Sequence, residues 1–438
     1  MLIPCNHLQH AKSVALALSA QFQFYSLLDS NNAADEFDWM AGMGNLAQTA
    51  EYSQFTDLSN FFLVNKGQYL FGHLNYDLKN NFEKLDSQHH NTIDFPLWHF
   101  FVPEITIIAR KSSLEILEAG NISLHSKSLL DWFKRQLDFK GLKDDITFQN
   151  RVNNRLHLEP RTSQKKYLDS FEKILEHLKA GNIYELNYCI EFFEQNAVID
   201  PVNTYLKLCE LTEAPMGCFY KHHDNYLLCA SPERFLKLKG DHLISQPIKG
   251  TIKRAVNAGA SEKMKAADLQ LKKLLETNEK ERAENIMIVD LVRNDLSHIA
   301  QKGTVKVNEL CGIYTFKTVH QMISTISCTI KEDVDFTEII RNLFPMGSMT
   351  GAPKIRAMQL IEAFEDIKRG LFSGSVGYIA PNGDFDFNVV IRSIFYNAAL
   401  KYVSIIAGSA ITVNADAEKE YEECLLKLEA LKKALNNH

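Results

Sequence analysis

The sequence lacks the features that mark secreted, membrane-spanning and nucleic-acid-binding proteins. Its eight cysteines are scattered, with no C-x-x-C pair, which argues against a disulfide framework or a zinc site and favours a reducing compartment. No apolar run approaches the roughly 18 residues of a membrane helix, and a net charge of −6 offers nucleic acid no basic surface. At 438 residues and 45% hydrophobic, the chain can still form a large core. We expect a globular, cytoplasmic protein.

The N-terminal part of the chain, residues 1–150, is rich in short apolar segments. Their period of two is typical of strands and predicts a sheet-rich region; the segments are Phe22–Leu28, Phe61–Val64, Tyr69–Gly72, Ile105–Ala109 and Leu114–Leu117. A polar stretch from Lys140 to Arg161 separates this region from residues 160–435. We expect the two regions to interleave into one globular unit.

Helical spacing begins after Ser163, which is a plausible N-cap. Apolar residues then recur every three or four positions until Gly181, which is expected to end the helix. The segment Gly181–Asn187 follows as a predicted strand.

An acid and an amine lie in rigid backbone contexts in the middle of the chain. Glu233 follows Pro232 in S-P-E-R-F, and Lys249 precedes Gly250 in Q-P-I-K-G-T. Proline fixes φ and glycine permits close approach, so both groups suit general-acid and nucleophile roles. The flanking apolar runs predict a hairpin-like unit, and composition alone favours an ordinary surface hairpin with a solvated Glu and Lys.

Two helical runs carry paired glutamates. Glu281 and Glu284 are three residues apart, as are Glu420 and Glu423, so each pair shares one helix face. Lys427 lies one turn beyond the second pair. In the first helix we expect three apolar residues to face inward, namely Ile286, Val289 and Leu296. Such pairs are common on solvated faces, but brought together they would supply the hard oxygen ligands that Mg²⁺ prefers.

Further candidates lie between these helices. His320 follows an apolar strand, where a lone histidine is often simply a core residue. Thr350 lies in a Gly- and Pro-punctuated loop before a predicted helix and could help to bind an anion at its N-terminus. Arg392 lies in an apolar strand, where burial requires a carboxylate partner, and Tyr378 precedes it in G-S-V-G-Y.

Taken together, these sequence motifs resemble those of the chorismate-utilising enzyme family. The resemblance rests on S-P-E-R-F with Q-P-I-K-G-T, on K-E-R-A-E-N-x-M-I-V-D-L-x-R-N-D and on E-Y-x-E, and it extends from about Ser163 to Lys432. It implies an α+β fold in which two large antiparallel sheets face each other, with helices outside and the site between the sheets. It also implies a Mg²⁺ ion, with three direct ligands in Glu284, Glu420 and Glu423 and with Glu281 acting directly or through water.

The resemblance assigns roles to the remaining candidates. Lys249 would attack C2 of chorismate, and burial must then lower its pKa; Glu233 would stay protonated and donate a proton to the departing C4 hydroxyl. His320 corresponds to the family's active-site histidine, and Arg392 with Tyr378 would hold the substrate's side-chain carboxylate. Backbone amides of a strand end would hold the other carboxylate. In that segment this chain keeps Gly408 and has Ser409 and Ala410 in place of glycines, side chains that could narrow the pocket.

One residue favours a branch of the family. Anthranilate-forming members usually carry alanine where this chain has Lys249, which favours amination of chorismate at C4. Isochorismate- and salicylate-forming members carry a water-activating lysine where this chain has Glu185, which argues against that branch. Anthranilate formation and a non-catalytic chorismate- or tryptophan-sensing role remain alternatives; Leu27–Ser30 resembles part of the relatives' tryptophan pocket but also reads as a strand ending in a turn.

The source of ammonia is expected to lie on another chain. The Gly-x-Cys-x-Gly elbow of a class I glutaminase is absent from the sequence. We therefore expect a separate glutamine amidotransferase subunit as partner.

Overall fold

Most of the alternating N-terminal segments form strands in the structure, a computed structural model that describes residues 1–31, 36–50, 54–137, 155–255 and 261–436. The segment Phe61–Val64 was wrongly predicted as strand: it has no true alternation and forms the end of a helix that begins at Asp57. The polar stretch predicted from Lys140 lies outside the described residues as far as residue 154.

The described part of the chain forms two sheets in which all paired strands are antiparallel. The strands are β1 (Leu2–Pro4), β2 (Phe24–Asp29), β3 (Trp39–Met43), β4 (Ala47–Gln48), β5 (Leu70–Leu74), β6 (Trp98–Val102), β7 (Ile105–Arg110), β8 (Ser113–Glu118), β9 (Glu159–Pro160), β10 (Glu185–Glu194), β11 (Met216–His222), β12 (Asn225–Ser231), β13 (Arg234–Lys239), β14 (His242–Gln246), β15 (Ile248–Lys253), β16 (Lys306–Thr315), β17 (Val319–Thr329), β18 (Gly351–Ala352), β19 (Ser375–Ile379), β20 (Phe385–Asn388), β21 (Ser393–Asn397) and β22 (Tyr402–Thr412).

Helices connect and cover these strands. They are α1 (Leu8–Ala17), α2 (Asp57–Val64), α3 (Lys79–Phe82), α4 (Leu124–Leu137), α5 (Gln164–Lys179), α6 (Pro201–Thr212), α7 (Glu262–Thr277), α8 (Glu279–Ile299), α9 (Phe336–Leu343), α10 (Lys354–Phe364) and α11 (Ala417–Leu435), with short 3₁₀ turns at Leu18–Gln21, Tyr76–Leu78 and Gly347–Met349. Among the described ranges, no helix combines the length and apolarity needed to cross a bilayer.

Both sheets mix strands from the two halves of the sequence. The larger sheet has the order β1-β8-β7-β3-β2-β11-β12-β21-β22-β10-β18, with β9 also paired to β10; the smaller has the order β15-β17-β14-β13-β20-β19-β5-β6-β4, with β16 also paired to β17. One apolar core lies between the sheets and includes α8 and α9. A second core lies between the larger sheet and helices α1, α4, α5, α6 and α11. The α+β architecture of two large antiparallel sheets is therefore confirmed.

Local sequence signals explain where the C-terminal elements begin and end. Ser163 caps α5 by accepting a hydrogen bond from the Lys166 backbone N–H, and the chain turns after the helix at Gly181, whose φ is +73°. The expected burial of Ile286 was wrong, because this residue is 39% exposed. The inward face of α8 instead includes Ile288, one turn beyond the buried Glu284.

The predicted hairpin around Pro232 does not form. β12 belongs to the larger sheet and β13 to the smaller one, so the chain crosses from one sheet to the other through Pro232 and Glu233. β13 instead pairs with β14 and β20. Because proline cannot continue a strand ladder, it marks the crossing and not a turn. Glu233 is consequently placed between the two sheets.

Candidate active site

A cavity of about 1050 Å³ lies where the ends of β10 and β22 meet the edge strand β15. Helices α8 and α11 form its sides, so that the sequence-distant regions around residues 249, 284, 392, 408 and 423 line one space. Of the candidates predicted from the sequence, the cavity brings together the acid, the amine, the arginine and both glutamate pairs. These are Glu233, Lys249, Glu281, Glu284, Arg392, Gly408, Glu420, Glu423 and Lys427.

Glu233 is held as a buried acid. Its side chain accepts a hydrogen bond of 2.7 Å from Ser348 Oγ, and its backbone N–H donates to Ser231 Oγ at 3.1 Å. Burial raises the pKa of Glu233 to about 7, although the Ser348 hydroxyl and the charge of Lys249 pull it down. A carboxyl group that is half protonated near neutrality can donate a proton there, as the general-acid role requires.

Lys249 is held as an ammonium ion. Its Nζ donates a hydrogen bond of 2.5 Å to Glu185 Oε1, and its side chain is only 10% exposed. Burial alone would lower the pKa of Lys249, but the charges of Glu185 and Glu284 outweigh it and raise the pKa above its usual value. The expected lowering of this pKa was therefore wrong for the protein without substrate, because the surrounding carboxylates prevail over desolvation.

The glycine after Lys249 lets β15 approach α8. Gly250 has a φ of +88°, and a Cβ added there would lie 3.1 Å from Glu281 Oε2. A side chain at this position would meet both a backbone penalty and a tight contact. Gly250 thus sets the spacing between the amine and the first glutamate pair.

The first glutamate of each pair, Glu281 or Glu420, lies in the first turn of a capped helix. Asn278 accepts a hydrogen bond from the Glu281 backbone N–H at the start of α8, and Asp416 accepts one from the Lys419 N–H at the start of α11. The positive end of each helix dipole favours negative charge there. Burial nevertheless raises the pKa of Glu284 to about 7 and raises those of Glu281 and Glu420.

The glutamates suit a hard cation, but as they stand they are bridged by a lysine. In the described part of the chain, no three acidic, histidine or cysteine side chains converge closely enough to hold a metal ion. Glu284 Oε1 is buried, and within the described ranges no group donates a hydrogen bond to it. The Lys280 ammonium lies 3.7 Å from it and 2.9 Å from Glu420 Oε1. The oxygens are of the hard type that Mg²⁺ prefers, and the Lys280 ammonium lies where Glu284 and Glu420 would have to converge on an ion.

Arg392 lines the cavity. The sequence predicted Arg392 within a strand, but the residue lies just before β21. Its φ of +52° is unusual for a residue with a side chain. Among the described residues, no hydrogen bond or ion pair to its guanidinium is found. Burial lowers the pKa of Arg392, with Glu423 opposing the shift. A partly buried guanidinium that has no partner among the described residues and is held at a positive φ indicates a site for an external anion.

The strand end at Gly408 has little space for side chains. A Cβ on Gly408 would lie 2.5 Å from Cys189 Sγ, and its carbonyl oxygen accepts a hydrogen bond of 2.8 Å from Lys427 Nζ. Lys427 also forms an ion pair with Glu423 at 2.6 Å. Ala410 lines the cavity, whereas the Ser409 hydroxyl lies 3.0 Å from Tyr167 OH on the α5 side of β22, so Ser409 does not narrow the pocket.

Three other predicted residues lie outside the cavity lining. His320 lies with its Nε2 3.3 Å from Asp268 Oδ1 of α7, while its neighbours Val319 and Gln321 face the cavity. The Thr350 hydroxyl donates to backbone carbonyls within its own loop. Tyr378 lines a separate small cavity together with Leu28, Asp29 and Ser30, part of the Leu27–Ser30 segment. The structure thus does not bring these three side chains to the amine and the acid.

Sequence reasoning missed several residues that the cavity contains. Ser348 donates to the acid, Lys280 bridges the glutamates, and Asn187 and Phe372 complete the wall. Lys280 belongs to the K-E-R-A-E-N motif and Ser348 to the loop that carries Thr350, but spacing alone does not show which member of a motif or loop points inward. Glu185 was noted as a departure from relatives, without a sign that it would contact Lys249.

An acid, an amine and a guanidinium that share a cavity with the two glutamate pairs define the site of an enzyme acting on a small anionic substrate. The family model of chorismate binding enzymes matches residues 7–433, and the chain belongs to this family. The chain is similar in sequence to aminodeoxychorismate synthase of Arabidopsis thaliana, with 40% identity over 274 residues. It is also similar to aminodeoxychorismate synthase component 1 of Salmonella typhimurium, with 35% identity over 272 residues.

These relatives differ from the chain in length. The matched region covers 62% of this chain in both cases, but only 29% of the Arabidopsis protein and 58% of the Salmonella protein. Anthranilate synthase component 1 of Thermus thermophilus is 30% identical over 366 residues, which cover 83% of this chain and 76% of the relative. The fold also matches anthranilate synthase component I of Streptococcus pneumoniae, with a TM-score of 0.74, 22% identity and coverage of 93% and 90% of the two chains.

Proposed function

We propose that the protein aminates chorismate at C4 with ammonia to give 4-amino-4-deoxychorismate, a precursor of 4-aminobenzoate and hence of folate. The observation that carries the proposal is the placement of Lys249 and Glu233 in one cavity with the unpaired Arg392. The two relatives named as aminodeoxychorismate synthases support the same reaction.

Chorismate carries two carboxylates, and the cavity offers distinct partners for them. Arg392 pairs with one carboxylate in a bidentate geometry, which offsets the cost of burying the guanidinium. The narrow strand end at Gly408, with Lys427 beside it, receives anionic groups nearer to α11. Orienting the ring in this way holds C2 and C4 toward the amine and the acid.

Mg²⁺ is proposed as the cofactor, with Glu284, Glu420 and Glu423 as ligands and Glu281 acting directly or through water. When bound, the ion polarises the substrate and orients its ring carboxylate. For these carboxylates to hold the ion, Lys280 would have to leave its position between Glu284 and Glu420.

The chain's own residues carry the bond-making steps. Lys249 attacks C2 as a neutral amine, and the C4 hydroxyl departs as water with the proton of Glu233. Ammonia then attacks C4 and displaces the lysine, while the Glu233 carboxylate takes up the surplus proton. Chorismate and ammonia thus become aminodeoxychorismate and water, and both side chains return to their starting states.

Ammonia is proposed to come from a separate glutamine amidotransferase subunit in the cytoplasm. The proposal rests on the absence of a Gly-x-Cys-x-Gly elbow from this sequence, and the free state of all eight cysteines supports a reducing compartment. Free ammonium at high concentration replaces the subunit in vitro.

Product analysis tests the proposal. The purified protein is incubated with chorismate, Mg²⁺ and ammonium, and the products are separated by mass and fluorescence. Aminodeoxychorismate supports the proposal; fluorescent anthranilate supports the alternative reaction suggested by the Thermus relative. A product formed without ammonium indicates isochorismate or salicylate formation, and chorismate binding without turnover indicates a sensing role. Lys249→Ala should abolish amination, and an unchanged rate in this variant would overturn the mechanism.

A further inference from the structure

The nucleophile of the proposed reaction has a buried carboxylate behind it that no catalytic step yet uses. Glu185 begins β10 in the larger sheet, and Lys249 lies on β15 in the smaller sheet. The 2.5 Å hydrogen bond from Lys249 Nζ to Glu185 Oε1 therefore joins the two sheets at the cavity wall. Glu185 is fully buried and does not line the cavity, whereas Lys249 does. Glu185 would therefore act on a bound substrate through Lys249 and not by direct contact.

The surroundings of Glu185 are unusual for a purely structural ion pair. Its Oε1 accepts from the ammonium, whereas its Oε2 is buried and no residue that the structure describes donates a hydrogen bond to it. A buried carboxylate is normally stabilised at both oxygens, and an unsatisfied one is costly. By contrast Glu365, another fully buried carboxylate, uses both oxygens to accept from Arg369 and a backbone N–H.

We propose that Glu185 is the proton acceptor that converts Lys249 from an ammonium ion into the attacking amine. The inference rests on the proposed function, because it assigns a role in the same reaction. One proton moves from Lys249 Nζ to the Glu185 carboxylate, so the N–H bond breaks, an O–H bond forms and two buried charges disappear together. When ammonia displaces the lysine, the amine regains this proton from Glu185, and the pair returns to its starting state.

This arrangement resolves the conflict between a nucleophilic role and a protonated lysine. Glu233 and Glu284 also face Lys249 and favour its charged form, so release of the proton to solvent is unfavourable near neutrality. Transfer to Glu185 needs no exchange with solvent, since donor and acceptor are already in hydrogen-bond contact. Expulsion of water by the bound substrate further favours the uncharged pair over the ion pair.

The test uses Glu185→Gln, which keeps the shape and an acceptor oxygen but cannot take up the proton. The expected result at pH 7 is a ~10²–10⁴-fold loss of the amination rate, the range for removal of a general base. Above pH 7 the ratio of wild-type to variant rates should narrow about tenfold per pH unit, because the variant must release the lysine proton to solvent. The pH effect of Glu233 is common to both proteins and cancels in the ratio.

Two further variants separate a proton acceptor from a structural counter-ion. Glu185→Asp retains a carboxylate and should restore part of the rate together with the wild-type pH profile. Glu191→Gln is the matched control, since Glu191 is also a buried glutamate of β10 but pairs with Arg161 away from the cavity; its pH profile should match that of the wild type. Thermal unfolding of each variant identifies any loss of folded protein.

A partial reaction gives a readout apart from turnover. With chorismate and Mg²⁺ but no ammonium, intact-mass measurement follows formation of the adduct on Lys249. Slow adduct formation in Glu185→Gln that recovers as pH rises supports the inference. If wild type aminates chorismate and folded Glu185→Gln matches it at every pH, or loses the same factor at every pH, Glu185 is only a counter-ion and the inference is overturned while the proposed function stands. If wild type forms neither product nor adduct, the proposed function itself fails.

Discussion

The Lys280 ammonium on α8 donates a hydrogen bond of 2.9 Å to Glu420 Oε1 on α11. It also lies 3.7 Å from Glu284 Oε1, so one cation bridges the two helices that carry the glutamate pairs. Burial lowers the pKa of Lys280, but Glu420, Glu284 and Glu281 outweigh it and keep the side chain charged. The positive charge of Lys280 thus offsets the repulsion between these glutamates, as a divalent ion bound among them would.

Replacement of this lysine should therefore make the fold more dependent on Mg²⁺. We expect Lys280→Met to lose about 1–2 kcal/mol of unfolding free energy in EDTA, a modest value because the side chain is 41% exposed. Because the ion no longer competes with an ammonium, the variant should bind Mg²⁺ more tightly and gain more stability than wild type at the same Mg²⁺ concentration; at a hundred times its own Kd the gain over the metal-free variant is about 2.7 kcal/mol. Thermal unfolding across a magnesium titration measures both effects.

The control for this prediction is a lysine in an exposed helix pair. Lys265 contacts Glu262 at 2.7 Å on the surface of α7, and Lys265→Met should change neither the melting temperature in EDTA nor the response to Mg²⁺. Equal magnesium responses in Lys280→Met and wild type would show that no ion binds among these glutamates.

The close approach of β15 to α8 predicts an unusual cost at Gly250. Gly250→Ala should lose about 1–2 kcal/mol from the positive φ alone, plus the cost of moving Glu281, whose Oε2 would lie 3.1 Å from the new Cβ. Gly303→Ala is a matched control, because Gly303 has a φ of +79° with no atom within 4 Å of the added Cβ. Urea unfolding should show a larger loss for Gly250→Ala, and only this variant should lose activity. Equal losses would mean that the contact with Glu281 relaxes freely.

The sequence predicts the residues of this site better on helices than on strands. The i, i+3 spacing places Glu281 beside Glu284 and Glu420 beside Glu423 whatever the tertiary context, and the structure lines one cavity with all four. On a strand, successive side chains point to opposite faces of the sheet, so a shift of one residue moves a side chain to the other face. A motif alone does not show which of its residues face the cavity, since that depends on which face of the folded sheet meets it.

This limit accounts for particular residues. Gly408 and Ala410 line the cavity while Ser409 between them contacts Tyr167, and Gln321 lines it while His320 contacts Asp268. The sheet-rich fold could be predicted from alternating segments, but the crossing at Pro232 could not, since a proline between two apolar runs fits a turn as well as a change of sheet.

The raised pKa of Glu233 predicts a specific dependence on pH. Activity needs the protonated acid, so kcat/KM should fall about tenfold per unit above pH 7. In Ser348→Ala this alkaline limb of the pH profile, the fall of kcat/KM, should begin at higher pH. The reason is that the Ser348 hydroxyl donates a hydrogen bond to the Glu233 carboxylate and holds its pKa down. Glu233→Gln should remove the limb and most of the rate. A limb that stays in place in Ser348→Ala would assign the titration to another group.

The raised pKa of Glu233 also makes the stability of the fold depend on pH. The direction of this dependence is opposite to that of an acid whose pKa is lowered by a salt bridge. The folded protein binds the Glu233 proton more tightly than the unfolded chain, so this residue lowers stability as pH rises from about 4.5 through 7. Above pH 7 the loss approaches about 3 kcal/mol at ~1.4 kcal/mol per pKa unit. Glu233→Gln should be more stable than wild type at pH 8 and close to it at pH 4.5. Urea unfolding at both pH values measures the difference, and an equal gap at both values would contradict the shift.

The unpaired Arg392 predicts a separation of stability from substrate binding. Arg392→Met should raise the KM for chorismate about a hundredfold, since charge-assisted hydrogen bonds of ~3 kcal/mol are lost, yet it should leave the melting temperature unchanged or higher because no protein partner is orphaned. Arg161→Met is the contrast, because Arg161 pairs with the buried Glu191 and with Tyr402; it should lower stability without changing KM. Steady-state kinetics and thermal unfolding give a KM for chorismate and a melting temperature for each of the two variants. If Arg392→Met destabilises the protein as much as Arg161→Met and leaves KM unaltered, the guanidinium serves the fold and another group receives the substrate carboxylate.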